Sequence, residues 1–192
     1  MRKQVVPKSQ LSCPIVMEKM PENQRSVEYE KWELGAAIDL ISRLRERRTA
    51  GERILVLSRY NDQLNLLKSE IPDHPNHGLD FMTIHRAKGK EADYVLLLGC
   101  VKGEYGFPSQ IKEEKLLEIA RNREEDGEDK LEEERRLFYV ALTRCKKELH
   151  IFTSNHNKSQ FISEISKYPT LDPFVPDLSK TTPTRRNKTM SH

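Results

Sequence analysis

The sequence predicts an α/β domain built on a mainly parallel sheet. Two observations favour this fold class. Short apolar runs of strand length alternate along the chain with segments in which apolar residues recur at helical spacing. In addition, residues 54–57 are continuously apolar, which is typical of a strand buried on both faces of a parallel sheet. At 192 residues, the chain is long enough for one domain with a sizeable core.

The alternation of strands and helices can be followed along the whole chain. Strands are predicted at the apolar runs 15–17, 54–57, 81–84, 94–98 and 150–152. Helices are predicted where apolar residues recur every three or four positions, around residues 34–44, 64–67, 137–141 and 161–165. Ser26 is a candidate N-cap for the first helix, and the second is expected to end before Pro72.

A long charged segment interrupts this pattern. Residues 113–134 are almost wholly charged and contain the pair Asp126 and Gly127, which predicts an exposed, interrupted helix or disorder. The acidic residues 124–134 are expected to form a solvated face, because no apolar strand positions them as the carboxylates of a nuclease. After Pro169 the chain is rich in proline and polar residues, and residues 169–192 are expected to be a disordered tail.

Composition limits the class of protein but does not identify a partner. The net charge of +3 is too small to indicate nucleic-acid binding by itself. The three cysteines are far apart and lack both metal-ligand spacing and the density of a disulfide framework, which favours a reducing, intracellular setting. No apolar run approaches the ~20 residues that a membrane span needs. We therefore expect a cytoplasmic protein without a membrane partner.

The first segment with a chemical signature is residues 81–95. Here a strand ends in polar residues, and a glycine turn precedes the next strand. Ligands of open parallel sheets bind beyond the carboxyl ends of strands, where Thr83, His85, Lys88 and Glu91 are expected to emerge. This arrangement suits a phosphate or a nucleotide. On this segment alone, a solvated loop between two strands is the preferred interpretation.

The second such segment is residues 132–144. It ends in Arg144, which lies one helical step past the apolar stripe of the predicted helix. A guanidinium there could reach an anionic ligand in a neighbouring lobe, because it is planar and always charged. The alternative is an arginine that simply favours the negative end of the helix dipole.

Together, the two segments resemble motifs V and VI of the UvrD/Rep/PcrA group of superfamily 1A helicases. In that family, motif V reads roughly Thr-x-His-x-x-Lys-Gly-x-Glu, and motif VI reads Glu-Glu-Arg-Arg-Leu-x-Tyr-Val-Ala-x-Thr-Arg; both are present almost intact. A third segment, residues 54–61, resembles motif IV, a buried strand that ends in an arginine, here Arg59. The resemblance covers about residues 13–167, and the assigned domain covers residues 13–168, with residues 1–12 as a leader or an introduced start.

The resemblance implies a RecA-like fold with helices on both faces of the sheet. It identifies the chain with the second motor lobe, domain 2A, which packs against the N-terminal RecA-like lobe with ATP between them. Arg59 and Arg144 match arginine fingers that approach the γ-phosphate. The implied ATP-binding positions are Arg59, Lys88, Gly89, Glu91 and Arg144. Thr83 and His85 match positions near the backbone of single-stranded DNA.

The chain also departs from a complete helicase. It contains neither a Gly-x-x-x-x-Gly-Lys-Ser/Thr loop nor an Asp-Glu pair closing an apolar strand, so the Mg²⁺ ligands are expected in the N-terminal lobe. The sequence thus indicates an excised fragment or a protein that depends on a partner lobe. A short connection between residues 67 and 81, together with residues 103–108, makes the chain resemble helicase IV most.

Two alternatives from other classes remain. The chain could be a non-catalytic interaction module derived from a helicase lobe, although a binding module does not need Arg59, Glu91 and Arg144. A metal site could be imagined at His74 and His77, but this proline-rich turn lacks a fourth ligand, so no metal is predicted.

Overall fold

A computed structural model describes residues 13–22, 28–71, 78–110 and 127–167. Within these residues the strands are β1 (Ile15–Met20), β2 (Ile54–Ser58), β3 (Leu79–Thr83), β4 (Ala92–Leu97) and β5 (Cys145–Ser154). The helices are α1 (Tyr29–Arg47), α2 (Asn61–Glu70), α3 (Gly127–Leu142) and α4 (Gln160–Ile165). Residues 1–12, the turn with His74 and His77, and the tail from residue 168 lie outside the described residues.

The described strands form one sheet with the order β1-β5-β4-β2-β3. All four pairings between neighbouring strands are parallel. Because the strands are parallel, their carboxyl ends form one edge of the sheet, the carboxyl edge, and their amino ends form the other, the amino edge. Each connection must return from the carboxyl edge to the amino edge, and most of these connections contain a helix. The predicted α/β class with a mainly parallel sheet is therefore confirmed.

Helices cover both faces of the sheet, as predicted. On one face, α1 and α2 pack on apolar residues of β2 and β4, such as Val56 and Leu96. On the opposite face, α3 and α4 pack on the alternate residues of the same strands, such as Leu55 and Val95. Alternation along a strand sends neighbouring side chains to opposite faces, which is why residues 54–57 are continuously apolar.

Most strand boundaries differ from the sequence prediction by a few residues, and two of these differences have a clear physical reason. Ile84 was expected to end a strand but lies in the 3₁₀ helix Ile84–Ala87, where it is fully buried against the α3 face. β5 begins at Cys145, before the predicted start at residue 150. Its first half is charged, and the charges are matched by neighbours: Lys147 pairs with Glu52, and Glu148 lies 2.6 Å from Arg47.

The charged segment before residue 134 also differs from its prediction. Residues 113–126 lie outside the described residues, but in α3 Glu134 is buried rather than part of a solvated face. Its position explains the burial, because Glu134 lies three and four residues before the buried Leu137 and Phe138 and so continues their stripe. Among the helices of the described residues, none is both long enough and apolar enough to cross a membrane.

A second buried carboxylate, Glu33, lies between α1 and the end of β4. It accepts hydrogen bonds from the Tyr29 hydroxyl at 2.6 Å and from the Gly99 N–H at 2.7 Å. Gly99 has a φ of +72°, a conformation that favours glycine. Burial is the main cause that raises the pKa of Glu33 to about 7, although both hydrogen bonds act in the opposite direction. The protonated form is thus favoured by folding.

Glu33 should make stability depend on pH. Because its folded pKa of about 7 lies above the ordinary 4.5, the folded state holds more protons within that window. The free energy of unfolding should then fall as pH rises from about 4.5 to 7, by at most about 3 kcal/mol. We expect Glu33→Gln to remove this decline in urea unfolding series, whereas Glu46→Gln, an exposed change on the same helix, should keep it. An unchanged decline in Glu33→Gln would contradict the assignment.

Candidate functional site

The connection between β3 and β4 carries most of the predicted site. Because both strands run parallel to β2, the chain must return from the carboxyl edge of the sheet to its amino edge between them. The 3₁₀ helix begins this return, and Gly89, with a φ of +78°, turns the chain before Glu91. Thr83 and His85 therefore lie at the carboxyl edge, and Glu91 lies at the amino edge.

The end of α3 meets this turn at the amino edge. The backbone carbonyl of Arg144 accepts a hydrogen bond of 3.0 Å from the Ala92 N–H. Its guanidinium donates to the carbonyls of Val140 at 3.0 Å and Lys90 at 3.3 Å, and to the Thr143 hydroxyl at 3.0 Å. The two sequence motifs, far apart along the chain, are thus one structural unit.

The charge of Arg144 is not neutralised within the described residues. All of its acceptors are neutral oxygens, and no carboxylate there lies within salt-bridge distance of its guanidinium. Nearby, Glu91 forms an ion pair of 3.3 Å with Lys146, in which both side chains are more than half exposed. Lys88 and Gly89 are exposed in the same turn. This edge therefore presents a half-buried, oriented cation beside an exposed turn.

Arg59 has a different environment at the carboxyl edge. Its Nε donates to the Glu134 Oε1 at 2.8 Å, and the other carboxylate oxygen of Glu134 accepts from the Ser109 N–H at 2.9 Å. The guanidinium also lies 5.1 Å from the ring centroid of Tyr60. Since the Glu134 side chain is only 3% exposed, Arg59 is the counter-ion of a buried carboxylate.

The structure does not bring the two predicted arginine fingers together. Arg59 follows the carboxyl end of β2, whereas Arg144 precedes the amino end of β5. The contact residues Glu134 and Val140, both on α3, are about 9 Å apart along the helix axis at the usual rise per residue. Each guanidinium also has its own acceptors on the protein. That both approach one γ-phosphate stays a prediction, and this lobe holds the two side chains at opposite ends of its strands.

The two positions expected near DNA lie on the same edge as Arg59. Thr83 ends β3 and is buried, and His85 is exposed. Partial burial lowers the pKa of His85, and the positive charge of Arg59 lowers it further, whereas Glu134 and Glu133 act in the opposite direction. The neutral imidazole is therefore favoured near neutral pH. It would meet a DNA backbone as a hydrogen-bonding group rather than as a fixed cation.

Sequence reasoning missed the two buried acids that organise the carboxyl edge. Glu134 orients Arg59, and Glu33 lies beneath Gly99. A signal was present in both cases, because each acid occupies the buried stripe of its helix: Glu33 lies four residues before the buried Ala37. Acidic residues in an otherwise apolar stripe could have been read as buried and paired. Among the described residues, no three potential ligands are grouped to hold a metal.

The fold and the joined motifs define a parallel α/β lobe with a charged amino edge. Residues 72–156 match the family model of the UvrD-like helicase C-terminal domain. This part of the chain is therefore similar to that helicase family, in agreement with the resemblance of its motifs V and VI.

Individual relatives agree with the family. The chain is 40% identical over 112 residues to DNA helicase IV of Escherichia coli K12, a match that covers 58% of the chain but 16% of that protein. It is 42% identical over 102 residues to DNA helicase II of Rickettsia typhi, covering 47% of the chain and 14% of that protein. The chain thus corresponds to a small part of the length of either relative.

A solved structure is also similar in outline. It is described as the C-terminal domain of a possible DNA helicase from a Lactobacillus strain, WCFS1, and shares 14% identity with a TM-score of 0.46 over 80% of each chain. A likeness at this level says nothing about the site.

Proposed function

We propose that the chain is the C-terminal motor lobe of an ATP-dependent DNA helicase or translocase, with 3'-5' polarity by family resemblance. Its partners would be the N-terminal RecA-like lobe of the same protein and single-stranded DNA, in the cytoplasm. The observation that carries the proposal is the joined unit at the amino edge, in which Arg144 is oriented by Lys90 and Val140 without a carboxylate partner among the described residues.

Arg144 suits the part of an arginine finger. Its orientation is fixed by three hydrogen bonds, and its charge remains available to an anion delivered from the facing lobe. Arg59 is less suited, because Glu134 already neutralises it. We therefore propose Arg144 as the residue that contacts the γ-phosphate of ATP, and Arg59 as a residue that shapes the DNA-facing edge.

The remaining positions fit half of a nucleotide site. Lys88, Gly89 and Glu91 lie exposed in the turn beside Arg144, and we expect Glu91 to contact the nucleotide sugar. Among the described residues no three potential ligands are grouped to hold a metal, and Glu91 is paired with Lys146. We expect the Mg²⁺ that accompanies ATP to be held by the N-terminal lobe.

Coupling between nucleotide and DNA would pass through the connection 84–91. It begins beside Thr83 and His85 at the carboxyl edge and ends at Glu91 beside the Arg144 unit. Its middle is anchored in the core by Ile84 and Ala87, both fully buried against the α3 face. A displacement of the amino edge as the lobes close would therefore be transmitted to the DNA-facing residues.

An assay of ATP hydrolysis distinguishes the proposed motor lobe from the alternative, a non-catalytic interaction module. We expect this chain alone to hydrolyse no ATP above a blank without protein, because the phosphate loop and the Mg²⁺ ligands are absent from its sequence. The complete protein with its N-terminal lobe should hydrolyse ATP and be stimulated by single-stranded DNA. Turnover by this chain alone, proportional to its concentration, would contradict the division of labour. A complete protein without DNA-stimulated turnover would favour the interaction module.

A further inference from the structure

A pocket lies between the N-terminal ends of α1 and α2, at the carboxyl edge of the sheet. Its volume is about 260 Å³, and its walls include Tyr60, Leu66 and Tyr105, with Glu33 below them. This volume is just below the ~300–1,000 Å³ of pockets that hold drug-sized ligands, so one or two long side chains would fill it. The pocket has no part in the proposed nucleotide site, which lies at the other edge.

The rim of this pocket is unusually apolar for an exposed surface. Leu66 is 49% exposed and Tyr105 is 60% exposed, and these are the two large apolar side chains exposed in the described part of the chain. The Tyr105 ring lies edge-on to the Tyr60 ring, with 5.8 Å between their centroids. Exposed aromatic and aliphatic groups gathered around one concave site are typical of protein interaction surfaces.

The charge of the pocket has one sign. The exposed carboxylates of Glu30 and Asp62 line it, Glu33 with its raised pKa forms the floor, and no lysine, arginine or histidine lines it. This is a local reversal in a chain whose net charge is +3. A DNA phosphate would be repelled here, whereas a cation would be attracted both by the carboxylates and by the face of an aromatic ring.

Contacts around the pocket indicate which of its side chains a bound cation would contact. Arg59 already covers one face of Tyr60, at 5.1 Å from the ring centroid, and Glu134 neutralises its charge. An incoming cation would therefore use the Tyr105 ring and the carboxylates of Glu30 and Asp62. These two acids also stand in the first turns of α1 and α2, where they favour the helix dipoles. That role explains the acids but not the exposed Leu66 and Tyr105 beside them.

We propose that this pocket docks a partner protein through a segment in which a lysine or arginine is flanked by apolar residues. The basic side chain lies against Tyr105 with its charge near Glu30 and Asp62, and an adjacent apolar residue packs on Leu66. The evidence for the pocket comes from the contacts of the described residues and does not depend on the proposed function. Its accessibility in the complete protein rests on the proposed function, in which the N-terminal lobe covers the opposite edge and single-stranded DNA contacts Thr83 and His85 rather than the acidic pocket.

The test uses the full 192-residue chain labelled with ¹⁵N and the probe peptide acetyl-Leu-Arg-Leu-Arg-amide. We expect saturable shifts of the amides of Gly99, Tyr60 and Tyr105, because the Gly99 N–H donates to Glu33 in the pocket floor. The double variant Glu30→Gln/Asp62→Asn should weaken binding about three- to tenfold, the range for two exposed ion pairs. Tyr105→Ala should weaken it as well.

The matched control is Asp39→Asn/Glu46→Gln, which removes two exposed carboxylates of α1 that do not line the pocket. It should bind the peptide like the parent chain, and acetyl-Leu-Gln-Leu-Gln-amide should not bind. Absence of a saturable shift, or equal weakening by both double variants, overturns the proposal. So does oligo(dT) that moves the same amides, since the occupant would then be a nucleobase.

The C-terminal tail, residues 169–192, contains Arg185 and Arg186 and could itself occupy the pocket, so the test must distinguish it from a partner protein. If changing Arg185 and Arg186 to glutamine moves the Gly99 amide in the absence of peptide, the tail fills the pocket and a separate partner is overturned. The proposed helicase function is tested independently, by measuring ATP turnover of the complete protein. Glu30→Gln/Asp62→Asn should leave that turnover unchanged in the complete protein.

Discussion

Arg144→Ala in the complete two-lobed protein is expected to reduce DNA-stimulated ATP turnover by about 10³- to 10⁵-fold, the range for arginine fingers in related nucleotide hydrolases. The equatorial oxygens of the γ-phosphoryl group gain charge in the transition state, and a guanidinium from the opposite lobe stabilises it. The loss corresponds to roughly 4 to 7 kcal/mol, more than an exposed ion pair could supply. Nucleotide binding should fall far less.

The control for this change is Arg144→Lys. Lysine keeps the charge but not the planar fork that holds the carbonyls of Val140 and Lys90, so it should restore little turnover. If Arg144 only favours the helix end, turnover per folded molecule would be normal and the free energy of unfolding would fall by about 0.3 to 1 kcal/mol. Steady-state turnover and a melting curve on the same protein distinguish these outcomes, and near-normal turnover would refute the finger.

The fold could be predicted from the sequence because its strands and helices carry strong periodic signals. The strand at residues 54–57 and the helix containing Leu64 and Leu67 appear where they were expected. The start of β5 could not be predicted, because Lys147 and Glu148 are matched by charges on Glu52 and Arg47, which lie far away along the chain. Local patterns do not contain such tertiary compensation.

The candidate site could be predicted in its composition but not in its geometry. Motifs V and VI identified Glu91 and Arg144, and the structure places them at the same edge. A motif gives the order of residues along the chain and not the edge of the sheet at which each one emerges. Arg59 therefore seemed equivalent to Arg144, although it follows a strand while Arg144 precedes one. The buried Glu134 gives Arg59 an ion-pair partner, whereas Arg144 has no carboxylate partner among the described residues.

Arg59→Ala is expected to lower the free energy of unfolding by about 3 kcal/mol, at the lower end of the range for breaking a buried ion pair, because the Arg59 side chain is 21% exposed. Among the described residues, the change leaves the buried carboxylate of Glu134 with the Ser109 N–H as its remaining partner. Urea unfolding at constant m-value would measure the loss.

The companion variants separate this role of Arg59 from a part in hydrolysis. In Arg59→Met/Glu134→Leu, both charges are replaced by apolar groups of similar volume, and most of the lost stability should return. In this double variant, the complete protein should keep its turnover per folded molecule within a few-fold of the parent. The reason is that Arg59 pairs with Glu134 at the carboxyl edge, whereas Arg144 lies at the amino edge. A finger would give the opposite pattern: in Arg59→Ala, turnover would fall by orders of magnitude while the unfolding midpoint hardly moved, and the double variant would recover nothing. That pattern would identify Arg59 as a residue that contacts the γ-phosphate. The carboxyl and amino edges of this lobe would then both have to contact one nucleotide.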